Sequence, residues 1–122
     1  MGILEHGMEA MADSFGSRGE DLFLHLGPSI CGACYEVGPE VHRALGLPSV
    51  GHPSLLDLRE NLAARALAGG VKRSRVTISA WCTRCEGSPF FSHRRGDRER
   101  QVAFIGVKPW DKDQEAEWHP VR

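Results

Sequence analysis

The sequence predicts an α+β fold, a mixed or antiparallel sheet with about three helices packed on it. Three observations carry this reading. Apolar residues recur at helical spacing in three separate stretches, and short apolar or β-branched runs lie between and after them. The two kinds of element also fail to alternate strictly, as repeated βαβ units would.

The elements follow in chain order. Ile3, Leu4, Met8, Met11, Ala12 and Phe15 recur at three- and four-residue steps and give one apolar face to a helix over residues 2–15. Gly16 and the Ser17-Arg18-Gly19 stretch end it. Asp21 to Leu26 reads as a short buried strand, broken by Gly27-Pro28. A Cys- and Gly-rich segment, Cys31 to Val37, leads into a second helix over Pro39 to Leu45, where proline suits the first turn. Gly46, Pro48, Gly51 and Pro53 make residues 46–53 a loop. Ser54 is expected to cap a third helix, whose face carries Leu55, Leu58, Leu62 and Ala66 and which stops at Gly69-Gly70. Val76-Thr77-Ile78-Ser79 reads as a strand. Phe90-Phe91-Ser92 and Val102-Ala103-Phe104-Ile105 read as two more, joined by the arginine-rich segment 94–100. Residues 108–122 form a polar tail in which Trp110 and Trp118 could dock.

Composition narrows the function. With 122 residues, 41% of them apolar and 25% charged, the chain fits one globular domain able to bury a core without disulfides. A formal net charge of -1 gives no basic face for nucleic acid and no attraction to an anionic membrane. No apolar run reaches the length of a membrane span, and Glu5 and His6 interrupt the N-terminal apolar stretch where a signal peptide would continue. The reading is of a cytoplasmic protein whose four cysteines serve as thiols, ligands or buried apolar groups.

Two Cys-x-x-Cys pairs stand out, Cys31/Cys34 and Cys82/Cys85. A two-residue gap lets two thiolates on one turn reach the same ion, and four soft ligands suit tetrahedral zinc. The 47 residues between the pairs exceed the usual spacing, so ordinary loop or buried cysteines are the competing reading. Arg94, Arg95, Arg98 and Arg100 cluster beside His93, and guanidinium forks suit phosphate. Asp97 and Glu99 interleave with them, as on a solvated loop tip. The six histidines form no His-x-x-x-His pair, and there is no phosphate-binding Walker loop, dinucleotide fingerprint or Gly-x-Ser-x-Gly elbow.

Several stretches taken together resemble one family. They are Gly27-Pro28-Ser29-Ile30 leading into Cys34-Tyr35-Glu36-Val37-Gly38, then Leu56-Asp57-Leu58-Arg59, Cys82-Thr83-Arg84-Cys85, and Phe90-Phe91-Ser92-His93-Arg94-Arg95. Their order is similar to the C-terminal half of the YfiH/YlmD-type laccase-domain proteins, named multicopper polyphenol oxidases and later purine nucleoside phosphorylases. The resemblance implies that residues 1–107 are half of a larger domain, with phosphorolysis of adenosine, inosine or guanosine, and also deamination of adenosine, as its chemistry. It implies zinc or copper held by two histidines and a cysteine, all upstream of the matched segment. The chain is therefore expected to be truncated and to hold no metal itself, with the missing N-terminal half or a homo-oligomer as protein partner. Purine nucleoside and phosphate are the expected ligands, with Arg94 or Arg95, then Arg59, as phosphate holders and Cys34 and Glu36 lining the pocket. Two departures from the family pattern are Ala33, where a second cysteine commonly precedes Cys34, and Arg98-Glu99-Arg100-Gln101, where the family tends to have Gly-Arg-Met. A four-cysteine zinc module (Cys31, Cys34, Cys82, Cys85) and an inactive remnant of the family are the alternatives.

Overall fold

The helical periodicity of the N-terminal segment becomes α1 (Ile3–Phe15) in the computed structural model, which describes residues 2–108. Gly16 stops the helix in the left-handed region, at φ 67°, and its N–H returns to the Ala12 carbonyl. At the other end the Glu5 carboxylate accepts the Gly2 N–H at 3.2 Å. The same carboxylate takes both arms of Arg65, at 2.6 and 2.5 Å. That bidentate fork ties α1 to a later helix, α3 (Leu58–Ala68).

Two short ladders stand in place of one sheet. The strands β1 (Leu24–Leu26) and β4 (Val76–Ile78) pair in parallel, with Leu24 opposite Val76 and Leu26 opposite Ile78. Between them in sequence lie β2 (Glu36–Val37), α2 (Pro39–Ala44), β3 (Ser54–Leu55) and α3. β2 and β3 pair antiparallel, and α3 packs across both β1 and β4 as a crossover helix should. The α+β class stands, with a parallel pair and an antiparallel pair replacing the expected single sheet.

Three sequence expectations are corrected. Ser54 does not cap α3, because its backbone is taken up by pairing with Val37; Asp57 caps instead, its carboxylate accepting the Glu60 N–H at 3.0 Å. Residues 90–92 and 102–105 form no strands. The Phe91 and Ser92 N–H groups go to the side chains of Gln101 and Asp97, at 2.7 and 2.8 Å, so a ladder has no donors to use there. His93–Arg95 is a 3₁₀ turn instead. The expected burial of Asp21 to Leu26 is also partial: Gly19–Asp21 is a 3₁₀ turn and Phe23 is 78% exposed.

The core of the described residues is small, built from Val37, Leu56, Ala63, Ala66, Val71 and Cys82. Large apolar side chains remain outside it, among them Ile3 at 88% and Phe104 at 96% exposure. Leu4, Met8 and Met11 of α1 face Leu22, Leu24 and Val71 across an open apolar groove. Among the described residues no helix is long and apolar enough to cross a membrane. The expected docking of Trp110 and Trp118 lies outside the described residues.

Candidate functional site

The parallel pair determines where the cysteines go. Beyond β1 and β4 the two chains keep step: Ser79 N–H bonds the Leu26 carbonyl at 2.8 Å, Ser29 bridges Cys82, and Thr83 N–H bonds the Ser29 carbonyl at 3.2 Å. Parallel strands end on the same side, so both Cys-x-x-Cys turns emerge together. All four sulfurs lie within 4.8 Å of one another. Cys85 Sγ stands 3.9 Å from Cys31 Sγ and 3.7 Å from Cys34 Sγ. The long sequence gap is thereby closed by strand register.

Cys82 is the buried member, and three backbone N–H groups point at its sulfur, from Cys31 at 3.2 Å and from Arg84 and Cys85 at 3.3 Å each. Burial works against its thiolate, but these donors outweigh burial and bring the thiol down to about 6. Cys85 is pushed up to about 12, first by its contact with Cys82, then by Cys34 and Cys31. Arg59, 8% exposed, holds the approach to this turn: its Nη1 donates to the Ser79 and Trp81 carbonyls at 2.6 and 2.8 Å.

The turn after Cys34 forms a second feature. Arg94 Nη1 donates to the Glu36 carbonyl at 2.8 Å, and its guanidinium lies over the Tyr35 ring at 5.1 Å. The glutamate-bearing turn and the double-arginine loop therefore meet. Arg94 is exposed, and the remaining edges of its fork carry no other hydrogen bond among the described residues. Arg95 is turned elsewhere. Its fork closes on Asp97 Oδ2 at 3.0 and 2.6 Å and on the Phe90 carbonyl at 2.6 Å. The Arg95 fork, followed by the Ser92 N–H, holds the Asp97 carboxyl below the usual carboxylate range.

The five residues expected to bind substrate therefore separate by geometry. Arg94 meets the Glu36 backbone, the Cys34 sulfur turns to Cys85, Arg95 closes its own loop, and Arg59 faces backbone carbonyls. Tyr35, the platform under Arg94, was not singled out from the sequence; its place between Cys34 and Glu36 in the Cys-Tyr-Glu-Val motif was the available signal. A site of two histidines and a cysteine does not fit the residues present: the one cluster of three or more ligand groups among the described residues is the four sulfurs, with no histidine in it.

The family model of the multi-copper polyphenol oxidoreductase laccases matches residues 1–108. The chain is 35% identical to the purine nucleoside phosphorylase YlmD of Bacillus subtilis (strain 168), over 76% of this chain and 38% of that protein. It is 40% identical to adenosine deaminase RL5 from an unknown prokaryotic organism, over 67% of this chain and 36% of that protein. The crystal structure of YlmD from Geobacillus stearothermophilus superimposes with a TM-score of 0.68 at 33% identity, over 76% of this chain and 38% of that one. The chain thus spans well under half the length of the relatives it matches. On the span of the family match and these identities, the chain belongs to the multi-copper polyphenol oxidoreductase laccase family.

Proposed function

We propose that this chain supplies one wall of a purine nucleoside phosphorylase, with Arg94 holding phosphate against the turn of Cys34, Tyr35 and Glu36. The observation that carries the reading is the meeting of Arg94 with Tyr35 and Glu36, which joins two distant motifs into one surface. Relatives named purine nucleoside phosphorylase support the reaction class, and the relative named adenosine deaminase supports adenosine as a nucleoside that such a site accepts.

Phosphorolysis needs phosphate held near the anomeric carbon while positive charge develops on the ribose. A planar guanidinium with donors left over among the described residues suits the phosphate. Glu36, an exposed residue whose backbone carbonyl takes Arg94, would favour the cationic sugar by the charge of its carboxylate alone. Tyr35 fixes the plane of Arg94, which limits the rotamer freedom lost when phosphate binds. Arg95 and Arg59 act as positioning residues: one closes the loop that presents Arg94, the other holds the strand end that carries Cys82.

The test uses the full chain fused to the upstream half of the Bacillus subtilis relative, with inosine or adenosine and inorganic phosphate as substrates. Phosphate-dependent release of the free base is expected, and Arg94→Ala should raise the KM for phosphate at least about tenfold. A folded fusion with no release of base, or an Arg94→Ala variant with unchanged phosphate KM, contradicts the reading.

A further inference from the structure

We infer that Cys31, Cys34, Cys82 and Cys85 form a closed, four-thiolate zinc site that locks the ends of β1 and β4 together and is separate from any catalytic metal.

Distance is the first argument. Zinc bound by four thiolates at about 2.3 Å sets its sulfurs about 3.8 Å apart along each edge of the tetrahedron. The two contacts of Cys85, at 3.7 and 3.9 Å, match that edge, and the remaining pairs lie within 4.8 Å. A disulfide needs sulfurs at about 2.05 Å, and all four cysteines are free thiols. Two of the six edges of the tetrahedron are thus already at the length an ion would give them, and the other four need close by no more than about 1 Å.

The backbone gives the second argument. Within the second pair, the N–H groups two and three residues beyond Cys82 both point back at its sulfur, and Cys31 N–H does so from the first pair. Such donors stabilise a thiolate without competing for a metal, because they approach the sulfur from the chain side. In the first pair the Cys34 N–H closes a turn on the Cys31 carbonyl at 3.0 Å, which brings the two sulfurs to one side. Gly32 lets this turn lie on Asp57, where an added Cβ would stand 3.0 Å from the Asp57 Cβ.

Ligand chemistry decides the class of metal. Four sulfurs with no imidazole or carboxylate select a soft or borderline tetrahedral ion and disfavour copper(II) or magnesium. Four protein ligands fill the tetrahedron, leaving no position for water or substrate, so the ion is structural. As zinc binds, any ligand still protonated gives up its proton to solvent. A core of few buried apolar side chains gains most from such a cross-link. Cys34 directly precedes Tyr35 and Glu36, so the ion also fixes the turn on which Arg94 rests.

The experiment uses the full chain purified under reducing conditions, with metal content by mass spectrometry and cobalt(II) substitution followed by visible absorption. About one zinc per chain is expected, and cobalt should give the bands of a tetrahedral thiolate site. Cys82→Ser alone is a poor test, since its sulfur anchors three N–H groups and the variant can fail to fold. Cys31→Ser and Cys85→Ser, checked for folding by circular dichroism, should each lower zinc affinity at least about tenfold. Zinc-exposed, reduced chain that retains no metal overturns the inference, as does zinc held equally well by both folded variants. Iron in place of zinc overturns it too. Nucleoside turnover is not the readout, so failure of the phosphorylase reading leaves this result standing.

Discussion

Arg59 offers a test between two roles for one residue. Replacing it with Met keeps most of its aliphatic stem and removes the guanidinium that binds the Ser79 and Trp81 carbonyls at 2.6 and 2.8 Å. A hydrogen bond to a charged group contributes about 1.5–3 kcal/mol. Two such bonds would approach twice that, but Trp81 is 54% exposed, so water reaches its carbonyl and offsets part of the loss. A net destabilisation of about 2–3 kcal/mol follows, with a urea midpoint lower by about 1 M. Chemical denaturation of the zinc-loaded chain, followed by circular dichroism, measures it. If Arg59→Met unfolds at the same urea concentration as the parent while the phosphate KM of the fused enzyme rises, Arg59 is a phosphate ligand and the clamp assigned to it here is wrong.

Three further predictions follow from the same contacts. Asp57→Ala removes the α3 cap and should cost about 1 kcal/mol, read as a lower urea midpoint, whereas Ser54→Ala should leave that midpoint within about 0.5 kcal/mol. Gly19→Ala drives a Cβ into the Gly69 carbonyl oxygen, a backbone atom with little room to move, and should lower the thermal midpoint, whereas Gly7→Ala, which meets nothing, should not. Glu5 is held down to about 2 by the fork from Arg65, against an ordinary value of 4.5, with burial opposing. A depressed carboxyl stabilises the fold above its unfolded value and loses that contribution as pH falls through the folded one. Stability should therefore decline between about pH 4.5 and 2, and Glu5→Gln should flatten that limb of the pH–stability curve.

The sequence was legible where a single local force decides the structure. α1 followed its apolar face and ended at Gly16, and α2 began at Pro39 as proline's fixed φ suggests. Reading failed where tertiary pairing competes with a local signal. Ser54 has the chemistry of a cap, but its register opposite Val37 draws it into β3, and the cap passes to Asp57. Phe90 to Ser92 has strand composition, yet Asp97 and Gln101 supply acceptors closer than any partner strand. The arginines were recognisable as anion binders, but which fork stays open depends on neighbours: Asp97 occupies Arg95, the Ser79 and Trp81 carbonyls occupy Arg59, and Tyr35 supports Arg94. The cysteine pairs looked too far apart in sequence because spacing carries no trace of the parallel register that joins their strands.

That register, which brings both cysteine turns to one point, is tested most directly by X-ray absorption at the zinc edge on the full chain. Four sulfur neighbours at about 2.3 Å, with no nitrogen or oxygen in the shell, is the predicted spectrum. A mixed shell containing histidine nitrogen or water oxygen, or a chain that binds no zinc to measure, would contradict it.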